Sequence, residues 1–199
     1  MRMWRLVPQV LAALVLAAGG YTVGARESRP DTPRGDSVDA GFLRDMVVHH
    51  EQAVTLAMIV LPRATVPAVR DMARDIITSQ QQEAGLMTGW LQQWGLPAST
   101  TARPMAWMAH PPTSAAGADP PMPGMATRRD VARLAVTRGQ AADVMFCRLM
   151  LPHHLGALHM IDEEVQRGRR PEVIALAQQM RTAQQREIGL LNRLLAEYR

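Results

Sequence analysis

Apolar residues recur along this chain at the spacing of helix faces. At 100° per residue, Phe42, Met46, His49, Ala53, Leu56, Ala57 and Val60 fall on one stripe, with His50 at its edge. Val69, Met72, Ala73, Ile76, Gln80, Glu83, Met87, Leu91 and Trp94 form a second stripe. The pattern predicts a helical hairpin. Its first helix runs from Val38 to about Leu61 and stops at Pro62. The second opens near Pro67, a favoured first helical position, and Gly95 and Pro97 end it near Trp94.

The pattern then returns. Asp39–Gly95 aligns without a gap on Asp143–Arg199 at an offset of 104, with 18 of 57 positions identical. The shared positions include Phe42/Phe146, Met46/Met150, His49/His153, His50/His154, Gln80/Gln184 and Glu83/Glu187. Such a duplication predicts a second hairpin. One of its stripes holds Phe146, Met150, His153, Ala157, Met160 and Ile161. The other holds Val173, Leu176, Ala177, Met180, Gln184, Glu187, Leu191, Leu195 and Tyr198. The turn falls at Arg167–Arg170, and Pro171 opens the last helix. Pro152 lies inside the third helix, where it removes one hydrogen bond and should kink the helix before His153. Met58 and His159 point away from the stripes.

Residues 96–126 between the hairpins are rich in Pro, Ala, Ser, Thr and Met, a composition long enough to cross a bundle or to stay mobile. Thr127 and Asp130 then resemble a capping box for a short helix. The expected fold is all-α: a four-helix bundle of two duplicated hairpins with a long Pro/Met-containing crossover. Residues 38–199 are read as one domain, split into 38–95, 96–126 and 127–199, with 26–37 as a linker.

Residues 1–25 read as a signal peptide or an N-terminal anchor. Arg2 and Arg5 precede the apolar run Leu6–Ala18, and Val23 and Ala25 have the spacing of a cleavage site. The run is short for a span of about 20 residues. The expected location is extracytoplasmic: periplasmic, secreted, or anchored only through an uncleaved leader.

Composition narrows the chemistry. The charge of +4 comes from 22 basic residues, all Arg, interspersed with 18 acids. Removing residues 1–25 lowers it to +2. No basic block, aromatic interleaving or nucleic-acid module accompanies it, so nucleic acid is not an expected partner. The single Cys147 precludes an intrachain disulfide. Aromatics make up 4% and Met occurs 14 times, so Met must pack the core or bind something.

A buried carboxylate needs a partner. Counting from a turn at Ala64–Thr65, His49 and His50 lie about 15 residues before it and Gln80 about 15 after; Met46 and Glu83 both lie about 18 away. These groups share one height near mid-helix. The predicted layer joins His49, His50, Gln80 and Glu83 with His153, His154, Gln184 and Glu187, bordered by Met46 and Met150. Three readings stay open. The layer binds a transition metal through imidazole, carboxylate and thioether groups, with Met tilting the choice to copper while zinc or iron also fit. Or His and Glu satisfy one another as a polar network in a structural bundle. Or the bundle is a di-metal redox enzyme, which calls for Glu-x-x-His pairs that this chain lacks. Met105, Met108, His110, Met122 and Met125 in the crossover form a secondary set of soft donors. Otherwise, they dock on the bundle as apolar pegs.

Phe-x-x-x-Met-x-x-His-His-x-x-Ala, followed about thirty residues later by Gln-x-x-Glu, resembles the bacterial domain-of-unknown-function family 305, with its CopM-like copper-binding members. The second copy, from Met150 through His153, His154 and Ala157 to Met160, is the closer match, and Met-Pro-Gly-Met at 122–125 resembles the family's lead-in. The likeness runs from Asp36 to Arg199. It implies a ferritin-like bundle, export, and copper binding or resistance for some members. Met160 and Met87 keep family methionines that Leu56 and Leu191 replace in the other copy. One composite copper site is therefore expected, not two. The role read from this is a metal buffer, scavenger or chaperone and not an enzyme, with self-association left open.

Overall fold

A computed structural model describes residues 32–110 and 122–198. Ser37 opens the first helix, α1 (Val38–Val60), its hydroxyl accepting from the Ala40 amide at 3.2 Å. After the turn at Pro62, α2 (Pro67–Gln93) begins with Pro67 in its first turn. Thr127 caps α3 (Arg128–Val136), accepting from the Asp130 amide at 3.1 Å and donating to its carboxylate at 2.6 Å. The fourth helix, α4 (Gln140–Arg167), runs unbroken through Pro152, and α5 (Pro171–Ala196) opens on Pro171. Among the described residues there is no strand. None of the described helices is long and apolar enough to cross a membrane. The leader at 1–25 lies outside the described residues.

The two hairpins are α1–α2 and α4–α5, and they meet mainly through α1 against α4, with α3 resting on both. The N-termini of α2 and α5 have no cap of their own. Each borrows one from the other hairpin. Asp143 of α4 accepts from the Thr65 and Val66 amides at 3.1 and 3.2 Å and from the Thr65 hydroxyl at 2.5 Å. Asp39 of α1 accepts from the Arg169 and Arg170 amides at 2.9 and 2.8 Å. Both carboxylates are buried. A carboxylate at a helix N-terminus satisfies orphan amides and meets the positive end of the dipole.

Burial follows the apolar positions of the stripes except at the end of α5. On α5, Leu194 enters the core, whereas Leu195 and Tyr198 are only partly covered. Helix ends fray, and the last turn rotates its apolar side toward the best available cover. The core divides into two apolar halves. One gathers the start of α1, the end of α2, the end of α4 and the start of α5. The other gathers the four opposite ends together with Leu134 of α3. Cys147 is a core thiol in that second half, its pKa pushed up to about 12, chiefly by burial.

The described part of the crossover is docked. Asp45 on α1 accepts from the Met105 amide at 2.6 Å and the Trp107 indole at 2.7 Å. Trp107 lies over Gly41, where a Cβ would meet the ring at 2.3 Å, and packs edge-on against Phe42. Further along, Gln52 and Ala126 exchange two hydrogen bonds of 2.7 and 3.0 Å. Met105 and Met122 are buried in the first apolar half, with Met108 and Met125 packed against it. These side chains dock on the bundle and complete its core, the second of the two placements the sequence left open. His110 is exposed.

Candidate metal centre

Between the two apolar halves lies a polar layer. His49 and His50 on α1 and His153 and His154 on α4 are each no more than 1% exposed. The α1–α4 contact brings the His49 and His153 rings together, with centroids 3.8 Å apart and planes at 42°. Burial, and then the closeness of His50 and His154, holds His49 well below the ordinary imidazole range. Burial, followed by His49, His154 and His50, does the same for His153. Both rings are therefore neutral near pH 7, with a lone pair to offer.

His50 and His154 take a different place. His50 Nε2 donates to Glu83 at 2.8 Å, and His154 Nε2 donates to Glu187 at 2.5 Å. Each carboxylate comes from the other helix of the same hairpin, and its side chain keeps 21% exposure. A carboxylate only accepts, so Nε2 carries a proton in each pair and Nδ1 is the nitrogen left to serve as a ligand. Glu83 and Glu187 thus sit at the edge of the layer as partners of imidazoles. The sequence reading put them fully inside it.

The middle of the layer is rich in unmatched polar atoms. Both ring nitrogens of His49 and of His153, Nδ1 of His50 and of His154, and Oε1 of Gln80 and of Gln184 are buried without a hydrogen-bond partner. A buried polar group left unmatched costs about 1–3 kcal/mol. A set of imidazole nitrogens and amide oxygens with free lone pairs, flanked by the thioethers of Met46 and Met150, fits an intermediate or soft transition metal. Among the described residues, no three His, Cys, Asp or Glu side chains converge as a preformed metal cluster.

The other predicted donors separate. Met87 and Met160 are buried in the same apolar half as Met46, and Met150 lies in the opposite half. Met105 and Met122 join the Met46 half, while Met108 and Met125 are only partly buried against it. Met58 and His159 are exposed. Two groups escaped the sequence reading. Asp39 and Asp143 were visible as identical residues at matching positions, yet their role needs contacts more than seventy residues away. Glu164 is fully buried with both oxygens unmatched, and no duplicated partner marks it because Val60 occupies the equivalent position.

Solved structures share this architecture. A Streptomyces coelicolor protein provisionally assigned as secreted is 40% identical, with 82% of this chain and 95% of that one covered and a TM-score of 0.75. CopM in its Cu(II)-bound form is 26% identical, with 82% of this chain and 98% of CopM covered and a TM-score of 0.62. CopM has also been solved with Cu(I) and with Ag bound. A 55-residue stretch is 34% identical to an uncharacterized protein of Acanthamoeba polyphaga mimivirus, and the chain spans only 36% of that relative's length. Residues 39–195 match the family described as Domain of unknown function (DUF305), and this chain belongs to that family.

Proposed function

We propose that this chain is an extracytoplasmic copper-binding protein that buffers, scavenges or hands on the metal and turns over no substrate. The observation that carries this reading is the pair of carboxylate–imidazole units, His50–Glu83 and His154–Glu187, in which a buried imidazole meets a carboxylate at the edge of the layer. Each leaves an unmatched Nδ1 beside the closely apposed, neutral His49 and His153. A carboxylate that holds the far nitrogen of an imidazole fixes its tautomer and raises its basicity toward a metal. The residues that would hold the ion are His49, His50, His153 and His154, with Met46 and Met150 alongside and Glu83 and Glu187 as orienting groups. The copper and silver forms of CopM support the choice of metal. The secretion provisionally assigned to the Streptomyces relative and the leader-like residues 1–25 support the location.

The test is competition for Cu(I) between the purified chain and a chromogenic chelator. Replacing all four histidines with Ala should lower the copper stoichiometry, and E83Q with E187Q should weaken affinity by about 10–100-fold while sparing it. Unchanged stoichiometry in the histidine variant would overturn the assignment of the layer. One observation favours a purely structural layer: the lack of a preformed three-residue cluster among the described residues. That reading expects no copper uptake by the intact chain and a loss of thermal stability in the same variants.

A further inference from the structure

Met46 of α1, Met87 of α2, Met160 of α4 and Met180 of α5 are each no more than 1% exposed and belong to one contiguous cluster. Every long helix thus contributes one thioether to the same half of the bundle. Met105 and Met122 of the crossover, both 2% exposed, join them there. The positions 104 residues away are Met150, Leu191, Leu56 and Ile76, and all four lie in the opposite half. Although each hairpin lost a methionine to leucine, both losses fall at one end. The chain has one methionine-complete half and one depleted half.

We infer that the complete half is a second metal site, centred on Met87, Met160, Met180, Met105 and Met122 with Met46 at its border with the imidazole layer, that takes a soft monovalent cation on thioether sulfurs alone. Volume does not explain the segregation. Exchanges among Met, Leu and Ile conserve bulk and usually cost less than about 1.5 kcal/mol. The depleted half packs with Leu and Ile at those positions. Met is the more flexible and less specifying choice for a core, so its accumulation at one end asks for another reason. An independent observation comes from Met105. Its backbone is left-handed, at φ +62, a conformation that non-glycine residues rarely adopt. The half-buried carboxylate of Asp45 holds that backbone by its amide and so helps seat the Met105 side chain among the other methionines. Strain of this kind, held by a dedicated contact, marks sites with a task. Thioethers are neutral and polarizable. They match Cu(I) or Ag(I), whose single charge is the least costly to bring into a dry core, and they do not match hard divalent ions.

This inference deepens the metal-binding reading and is separable from it. The experiment labels the methionine methyl carbons of the full chain and follows their NMR resonances during Ag(I) addition. Met46, Met87, Met160, Met180, Met105 and Met122 should shift, while Met72 in the depleted half should not. The shifts should persist in H49A/H153A, in which the imidazole layer is broken. M87L/M160L should lose one equivalent of Ag(I) with its helical circular dichroism intact. Shifts confined to Met46 and Met150, or an M87L/M160L variant that keeps every equivalent, would overturn the thioether site even if the imidazole layer binds metal. Retained shifts with no effect of the histidine variant on stoichiometry would uphold it and overturn the imidazole site instead.

Discussion

Glu164 shows how one residue sets a pH dependence. Its carboxyl is fully buried near the α4–α5 turn, and burial, followed by Asp39, pushes its pKa up to about 8. The ordinary value is 4.5. A carboxyl with a raised folded pKa contributes its stability in the neutral form. That contribution is complete below the ordinary value and is lost as pH rises toward 8. Thermal melts should therefore fall across this window in the wild type and fall less in Glu164→Gln, which should be the more stable protein at about pH 9. Parallel pH profiles for the two proteins would contradict the role given to Glu164. The sequence reading passed over this residue because it belongs to a polar run, Asp162-Glu163-Glu164, although the helix period places it on the α4 stripe with Ala157 and Ile161, at the position Val60 holds in the first copy.

At the scale of an element, the crossover is held by close backbone contact. A Cβ on Gly124 would lie 2.1 Å from the Pro152 carbonyl oxygen, and one on Gly156 would lie 2.2 Å from the Pro123 carbonyl oxygen. Gly124 also has a φ of +80. Neither obstacle is a side chain that could swing away. Gly156→Ala should therefore push the crossover off α4, with a loss of about 1–3 kcal/mol and faster proteolysis within residues 96–126. An unchanged cleavage rate would show that the strap does not depend on this approach. The sequence displays both glycines, but glycine is common in Pro-rich connections. Only the fold reveals that the pair lets two backbones touch beside Pro152.

For the whole molecule, the exchanged caps make the hairpins depend on each other. The α2 N-terminus is capped by Asp143 and the α5 N-terminus by Asp39. Removing either carboxylate leaves amides unmatched at a partly covered turn. Asp143→Ala should cost about 1–3 kcal/mol and should lower the melting of the whole chain in one transition, because the broken contact joins both hairpins. Two separate transitions, or a melt unchanged from wild type, would argue against mutual capping.

The division between sequence and structure follows the range of the forces involved. Helix limits, the duplicated hairpins, the inward histidines and the height they share were legible in the sequence. Periodicity, proline stops and a rise of 1.5 Å per residue are properties of short stretches of chain. The partner of each group was not legible. Glu83 faces His50 from the edge of the layer, Asp39 and Asp143 reach across to the opposite hairpin, and the crossover methionines enter the core. Only the tertiary structure decided that Leu56 and Leu191, one from each hairpin, deplete the same half. The reason is geometric. The α1 and α4 helices run in opposite directions, so equivalent residues lie at opposite ends, and a linear alignment pairs positions that the folded bundle keeps apart.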